Sequence, residues 1–389
     1  MSEQDPQEAP EYAYGERVIP TEAKIEALKP GRGRISGYLS ASLGVMSLPG
    51  VLCFLYPTYF TTAELREAYE VWQIRLLLKV CLIGSVGFGL FNMARLHNAR
   101  LGALGMLSAG AAWLLGGWSV EVGPLNPEQV GLGLDWLLLD LLGSAGLFIF
   151  LEKLFPRHPD QAILRPELSL DIIYFAMNHL AVGYLLIASN TFAPAAVDWM
   201  VNGTLQAFVT GLPLWGQVIL LVFAADLVQY WVHRAYHEVP WLWGLHAVHH
   251  SAEHMDWIAG SRTHILQTLI DRSLVFLPLY LLGPSKEALD AYVVYAALLA
   301  VFIHSNVGLP MGPLKWIITT PQFHHWHHSS DKPAIDTNYA AYLPLYDWLF
   351  GTLHMPDRHW PIQYGTLTRL PRTVWGQFTY PFRKDRGKG

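Results

Sequence analysis

Apolar stretches of roughly helical-span length alternate with short polar connections along most of the chain. A hydrocarbon slab about 30 Å thick takes about 20 apolar helical residues. Eight stretches meet or nearly meet that length: residues 38–60, 74–93, 101–117, 132–151, 170–189, 206–232, 265–283 and 288–303. The pattern predicts an all-α, multispanning membrane bundle. The seventh stretch is the weakest, because Asp271 and Arg272 interrupt it and intramembrane charges are costly. With Gly283 and Pro284 turning it into the eighth, the pair is expected to form a helical hairpin that crosses or dips into the bilayer.

Basic residues orient these spans, since Lys and Arg collect in cytoplasmic loops. Arg17, Lys24, Lys29, Arg32 and Arg34 precede the first span; Arg95 and Arg100 lie between the second and third; Lys153, Arg157 and Arg165 follow the fourth. The alternate loops hold only Arg66 and Lys286 or, around Glu121 and Asp198, no basic residue. The expected topology has a cytoplasmic N-terminus and returns the chain to the cytoplasm after the sixth and eighth spans.

Composition agrees with the periodicity. At 52% apolar and 15% charged residues, the chain reads as one membrane unit rather than the two or three soluble domains its length would allow. A net charge of -5 without a basic block argues against a nucleic-acid partner. Cys53 and Cys81 both sit in apolar runs and provide neither a disulfide framework nor a thiolate metal site. Residues 1–34 are polar and rich in Glu and Pro, with no apolar core, so they are expected to form a soluble arm rather than a signal peptide.

Twelve of the 17 histidines fall between positions 233 and 328. They form three boxes: HRAYH from His233 to His237, HAVHH from His246 to His250, and HHWHH from His324 to His328. Helical residues three or four apart share a face. His233 therefore points with His237, and His246 with His249 and His250, while His324, His327 and His328 repeat the second spacing. His325 is an extra ring, turned about 100° from His324. Imidazole suits zinc, copper, iron and nickel, and a zinc ion is satisfied by about four ligands. Eight boxed imidazoles exceed one ion and suit two. A single histidine is more often a hydrogen-bonded core or surface residue, but that does not account for three boxes of matched helical spacing.

In these boxes the chain resembles the fatty acid hydroxylase and sterol desaturase superfamily of membrane di-iron enzymes, whose pattern is HxxxH, then HxxHH after a short gap, then a distant HxxHH. The short gap between the first two boxes separates it from acyl-chain desaturases. Flanking residues extend the likeness: Asp226, Tyr230 and Arg234 in DLVQYWVHR, Arg262 and His264 in SRTH, His304 and Asn306 in HSN, Pro321, and LPLYDWLFGT at 343–352. The resemblance runs over about residues 170–365 and implies a catalytic domain at 166–365; residues 1–165 match no such pattern, and the chain is expected to divide further into a polar arm at 1–34, a membrane extension of about four spans at 35–165 and a tail at 366–389.

The resemblance implies O2 activation at two iron ions, with zinc able to replace iron on purification, and removal of hydrogen from an unactivated C–H bond of a sterol, fatty acyl chain or related lipid to give an alcohol or an alkene. The eight boxed histidines, all but His325, would be the metal ligands, with His264 and His304 as possible additions. His304 is the better placed, because Asn306 follows it where the span ends. Asp226, about two turns before His233, is the favoured acceptor for a ligand's free ring N–H, ahead of Asp256, Asp331 and Asp336; Asn306 and His325 are also expected beside the centre. No haem domain, flavin fingerprint or iron-sulfur cysteine set is evident, so electrons would come from a separate cytochrome or ferredoxin with its reductase. Two rivals remain: a zinc-dependent membrane hydrolase, which lacks an HExxH-type acid/base motif here, and a metal transporter, whose ligands would lie near mid-bilayer.

Overall fold

A computed structural model of the chain describes residues 34–62, 66, 70–94, 99–126, 131–356 and 359–383, with backbone alone at 34–35 and 186–196. The polar arm up to residue 33 and Arg95 lie outside the described residues. Among the described residues the fold is all-helical, with two isolated bridges, Pro156 to Val307 and Ser329 to Tyr364, and no strands.

The long helices are α1 (Arg34–Leu55), α2 (Val71–Ala94), α3 (Ala99–Leu114), α4 (Leu134–Leu154), α5 (Leu168–Val197), α7 (Leu214–Glu238), α9 (Ile265–Leu282) and α10 (Lys286–His304). Shorter ones are α6 (Gly203–Thr210), α8 (Pro240–His250), α11 (Pro321–His327), α12 (Leu345–Phe350) and α13 (Val374–Thr379). Among the described residues, 8 helices are long and apolar enough to cross a membrane, one for each predicted stretch. The sixth stretch differs in detail. Pro213 breaks it, since proline fixes φ and lacks an N–H; α6 ends at Thr210, and α7 starts at Leu214 and runs on to Glu238. That extension puts the first histidine box on the end of a spanning helix. The doubtful seventh stretch is an 18-residue helix, α9, with Pro278 inside it.

Helices α1 to α3 pack through small residues, as membrane helices do when van der Waals fit must replace hydrophobic drive. Ser40 Oγ donates to Ser85 O at 2.7 Å and Ser85 Oγ returns a bond to Ser40 O at 2.8 Å. A side chain at Gly105 would collide with the Ser40 backbone, and one at Gly44 with Gly105 O. Helix α4 joins this bundle to the remainder: Phe148 is buried with Trp257 and Ile258, and Glu152 accepts N–H bonds from Trp257 and Asn306 at 2.7 and 3.0 Å. A second core, centred on Leu221, Tyr230, Leu279, Tyr292 and Phe323, holds α7, α9, α10 and α11 together beneath the histidines.

Candidate metal centre

The C-terminal ends of α7, α8 and α10 meet the short helix α11 at one end of the bundle. Each carries its histidines in its last turn or two, and α11 begins sharply because Thr320 caps it through Phe323 N, with Pro321 in its first turn. The three boxes, spread over nearly a quarter of the chain, therefore converge. They form two adjoining groups: His233, His237, His246, His250 and His327 in one, and His249, His304, His324 and His328 in the other, with the ring nitrogens of each group within 4.8 Å of one another. His250 of the first stacks on His328 of the second, centroids 4.5 Å apart.

The ring tautomers show what these groups can hold. His249 Nδ1 lies 3.1 Å from Arg262 O and His304 Nδ1 lies 2.8 Å from Ala300 O. A carbonyl oxygen only accepts, so both rings carry their proton on Nδ1 and turn a lone pair outward at Nε2. Those two Nε2 atoms face each other at 3.3 Å with no proton to share. In the first group His233 Nδ1 donates to Tyr339 O at 2.7 Å and His327 Nδ1 to Thr337 O at 2.8 Å, while His233 Nε2 faces His246 Nε2 at 2.9 Å. His324 Nε2 lies 2.9 Å from His304 Nε2 and 3.1 Å from His328 Nε2. Burial, reinforced by neighbouring imidazoles, holds His246, His249, His250, His324, His327 and His328 well below the ordinary histidine pKa, so protonation does not relieve the repulsion. Converging lone pairs at this spacing fit a cation: ligands about 2.1 Å from a metal sit about 3 Å apart when at right angles. The residues fit a metal in each group.

Outer partners fix the rings, as they do around metal-bound histidine generally. Residues 336–339 supply three of them: Asp336 Oδ1 to His237 Nδ1 at 3.1 Å, Thr337 O to His327 and Tyr339 O to His233. Asp336 and Asn338 take positive φ, 59° each, a conformation that Asp and Asn tolerate better than most residues. Two buried carboxylates then pin the following backbone. Asp347 accepts from the N–H of Tyr339 and Ala340, both at 2.8 Å, and Asp226 accepts from Ala341, Tyr342 and Leu343 at 2.8, 3.0 and 2.7 Å. His246 Nδ1 meets Gln267 Oε1 at 3.2 Å, and Gln267 Nε2 donates to Asp271 at 3.3 Å. The Arg262 carbonyl that holds His249 is itself fixed, because its buried guanidinium pairs with Asp171 at 2.6 Å and Glu167 at 3.1 Å.

All eight boxed histidines thus come together, and His304 joins them. His264 does not. Its Nδ1 accepts from Leu266 N, capping α9, and its Nε2 contacts Phe378 O at 3.0 Å. Asp226 meets no ring N–H; seven helical residues, about 10.5 Å along an axis, are too far for a carboxylate to reach back. It acts through the 341–343 backbone instead. Asn306 likewise holds the turn at His158, accepting from its N–H at 2.8 Å and donating to its carbonyl at 3.0 Å. His325 points out of both groups, to Tyr364 Oη at 3.0 Å and Ser305 O at 3.1 Å. Trp243, one of the aromatics that crowd the boxes in the sequence, stands with its ring 5.1 Å from that of His237 and 5.4 Å from that of His250, while Gln267 and Asp347 are partners that the sequence alone did not single out. An amide one turn behind Asp271 and a carboxylate inside the quoted LPLYDWLFGT run were the available signals.

A membrane-length helical bundle presenting two adjoining imidazole groups at one end defines a multispanning membrane protein whose histidine clusters could hold metal ions. The chain belongs to the fatty acid hydroxylase family. The sequence model of that family, fatty acid hydroxylase, matches residues 218–352. The chain is 30% identical over 256 residues to the ornithine lipid hydroxylase OlsE of Rhizobium tropici, covering 64% of this chain and 77% of that protein. It is 36% identical over 127 residues to the alkylglycerol monooxygenase of Homo sapiens, covering 33% of this chain and 28% of that one. With the very-long-chain aldehyde decarbonylase GL1-6 of Oryza sativa subsp. japonica it shares 30% over 180 residues, 41% of this chain and 27% of the relative. The chain therefore matches under a third of the length of these last two. No solved structure matches it.

Proposed function

We propose that this protein is an O2-dependent, di-iron lipid oxidoreductase that hydroxylates or desaturates a C–H bond of a membrane lipid. The carrying observation is the pair of adjoining histidine groups whose lone pairs face one another without protons, in a chain similar to a lipid hydroxylase and a monooxygenase. His233, His237, His246, His250 and His327 would hold one ion, and His249, His304, His324 and His328 the other. Iron would supply the O2 reduction and hydrogen removal that no side-chain acid or base can achieve at an unactivated carbon. Zinc, which lies above ferrous iron in the affinity order, is the expected contaminant.

The chain's own contribution is orientation and exclusion. Nine rings are fixed in place by helix ends, with most outer nitrogens tied to carbonyls or side chains, so little reorganisation is needed during turnover. Near-complete burial keeps water from the groups, and Trp243 closes one flank. Exposed Trp241, Trp316 and Trp348 are suited to the interfacial level of a bilayer, which favours a substrate that stays in the membrane and approaches laterally. In this reading residues 166–365 are the catalytic domain, the histidine end faces the cytoplasm, and a separate cytochrome or ferredoxin with its reductase delivers electrons there.

Anaerobic iron loading followed by elemental analysis should give about two ions per chain, and lipid profiling of a deletion strain against its parent should reveal a missing hydroxylated or unsaturated lipid whose formation in membranes needs O2 and reductant. A stable content of one ion, or product formation without O2, would overturn the proposal. Hydrolysis products in place of oxidised lipid would favour a zinc hydrolase.

A further inference from the structure

The membrane extension holds a cavity far from the histidines. It lies between α1, α2 and α4, has a volume of about 260 Å3, and opens to the surroundings. Met46, Gly50, Phe54, Leu78, Leu139 and Leu142 give it an apolar wall, and its two charged residues, Arg66 and Asp135, stand at one end with Thr61. A cavity of this size has room for many waters, yet apolar cavities do not retain water. Hydrocarbon would fill it.

Arg66 determines what kind of hydrocarbon. Among the described residues its Nε and Nη1 are buried and have no hydrogen-bond partner, an arrangement that is unfavourable unless an anion supplies the missing acceptors. Asp135 also lines the cavity, but its carboxylate already accepts from Thr62 N at 3.2 Å and Trp136 N at 2.9 Å. The guanidinium therefore stands at the mouth of an apolar groove that runs about 15 Å along α2 from Val71 to Cys81. Along α4, Asp135 at this mouth and Glu152 beside the metal groups are separated by about 25 Å, so the groove lies toward the opposite face of the bundle from the histidines.

We propose that this groove is an accessory binding site for an anionic phospholipid: its phosphate at Arg66, one acyl chain between α1, α2 and α4, and the second chain left in the bilayer through the open side. The charge match selects the anionic headgroup, and the open side of the groove selects a lipid that keeps a chain outside. No redox step is involved, so the site stands or falls separately from the reaction proposed above.

Native mass spectrometry of the full chain, released from nanodiscs of phosphatidylglycerol or of phosphatidylcholine with the same acyl chains, tests this. The wild type should retain phosphatidylglycerol at least several-fold better, and Arg66→Gln should abolish the preference while leaving the metal content unchanged. A photoactivatable phosphatidylglycerol should label peptides of α1, α2 or α4, and Leu139→Trp, which fills the groove but leaves Arg66, should reduce that labelling. Equal retention of the two lipids by the wild type, an unchanged preference in Arg66→Gln, labelling confined to other helices, or retention of oleate or inorganic phosphate in place of the phospholipid would each overturn the proposal.

Discussion

Among the five rings of the first histidine group, His233, His237, His246 and His327 have their outer nitrogens on fixed acceptors, three of them in the 336–339 segment and one on Gln267. Among the four rings of the second group, His249 and His304 are tied to backbone carbonyls, but the Nδ1 atoms of His324 and His328 are buried with no partner. One residue type thus builds two different sites. The first has more rings, one outer carboxylate, Asp336, and a second carboxylate, Asp271, one step beyond Gln267. The second has fewer rings, only neutral outer partners, and two buried rings whose Nδ1 atoms lack an acceptor. If each group holds an ion as proposed, the four-ring group leaves more positions open for exogenous molecules, and small reactants would enter on that side.

The largest effects expected come from removing a ligand. Alanine at any of the nine grouped histidines should abolish turnover, but the metal content should divide them. His304→Ala leaves three rings and should lower the bound metal from about two ions to about one, whereas His237→Ala leaves four and should retain both. Elemental analysis of the two purified variants reads the difference directly. Full activity in two or more of the nine variants would remove the groups from the mechanism altogether.

Next in size is Asp226→Asn. The carboxylate accepts three backbone N–H bonds, and an amide would turn a donor toward them. Because Tyr339, just upstream, carries the carbonyl that orients His233, the loss should appear as weaker metal binding in the five-ring group, about 10- to 100-fold as for outer partners generally. Asp336→Asn keeps an acceptor for His237 and should lose less. If Asp226→Asn lowered thermal stability but left metal affinity intact, its role would be structural only.

Most of the centre was legible because helical spacing is local: i, i+3 and i+4 histidines share a face whatever surrounds them, and eight of the nine grouped rings came from boxes of that kind. His304 was only half visible, since a lone histidine at a helix end has no spacing to test. His264 misled because it sits in a matching flank yet spends its ring on capping α9. The partner of His233 was beyond reach in principle: it is a backbone carbonyl 106 residues away, and every residue has one. The eight spans were readable from hydropathy; the break at Pro213, where α7 begins, was not read from it.

A smaller, graded effect is expected with pH. In the metal-free protein the buried imidazoles of His246, His249, His250, His324, His327 and His328 lie well below 6.5, chiefly through burial. An unfolded chain titrates near 6.5 and so binds more protons than the folded one once pH falls below that value. Folding free energy from these groups is therefore intact above about pH 6.5 and is lost progressively toward lower pH. The melting temperature of the metal-free protein should fall between pH 7.5 and 5.5, more than that of a variant with His249 and His250 replaced by Gln. A flat or rising profile would mean that these rings are not buried neutral in the metal-free state.

The smallest effect should come from His325→Ala, and it tests the register of the last box. On α11 adjacent residues are turned by about 100°, so only one of His324 and His325 can face the metal groups. His324 does, with its Nε2 between those of His304 and His328; His325 instead joins Tyr364 Oη to Ser305 O. Its removal leaves those two buried groups without their partner, a cost of about 1–3 kcal/mol in stability, but takes no lone pair from either site. The variant should melt lower than the wild type, bind the same amount of metal, and keep turnover within about threefold, an energetic equivalent of less than 1 kcal/mol. His324→Ala should be inactive with depleted metal. The reverse pattern, an inactive His325→Ala beside an active His324→Ala, would place the box one residue out of register and dissolve the four-ring group, because His304 and His328 meet through His324.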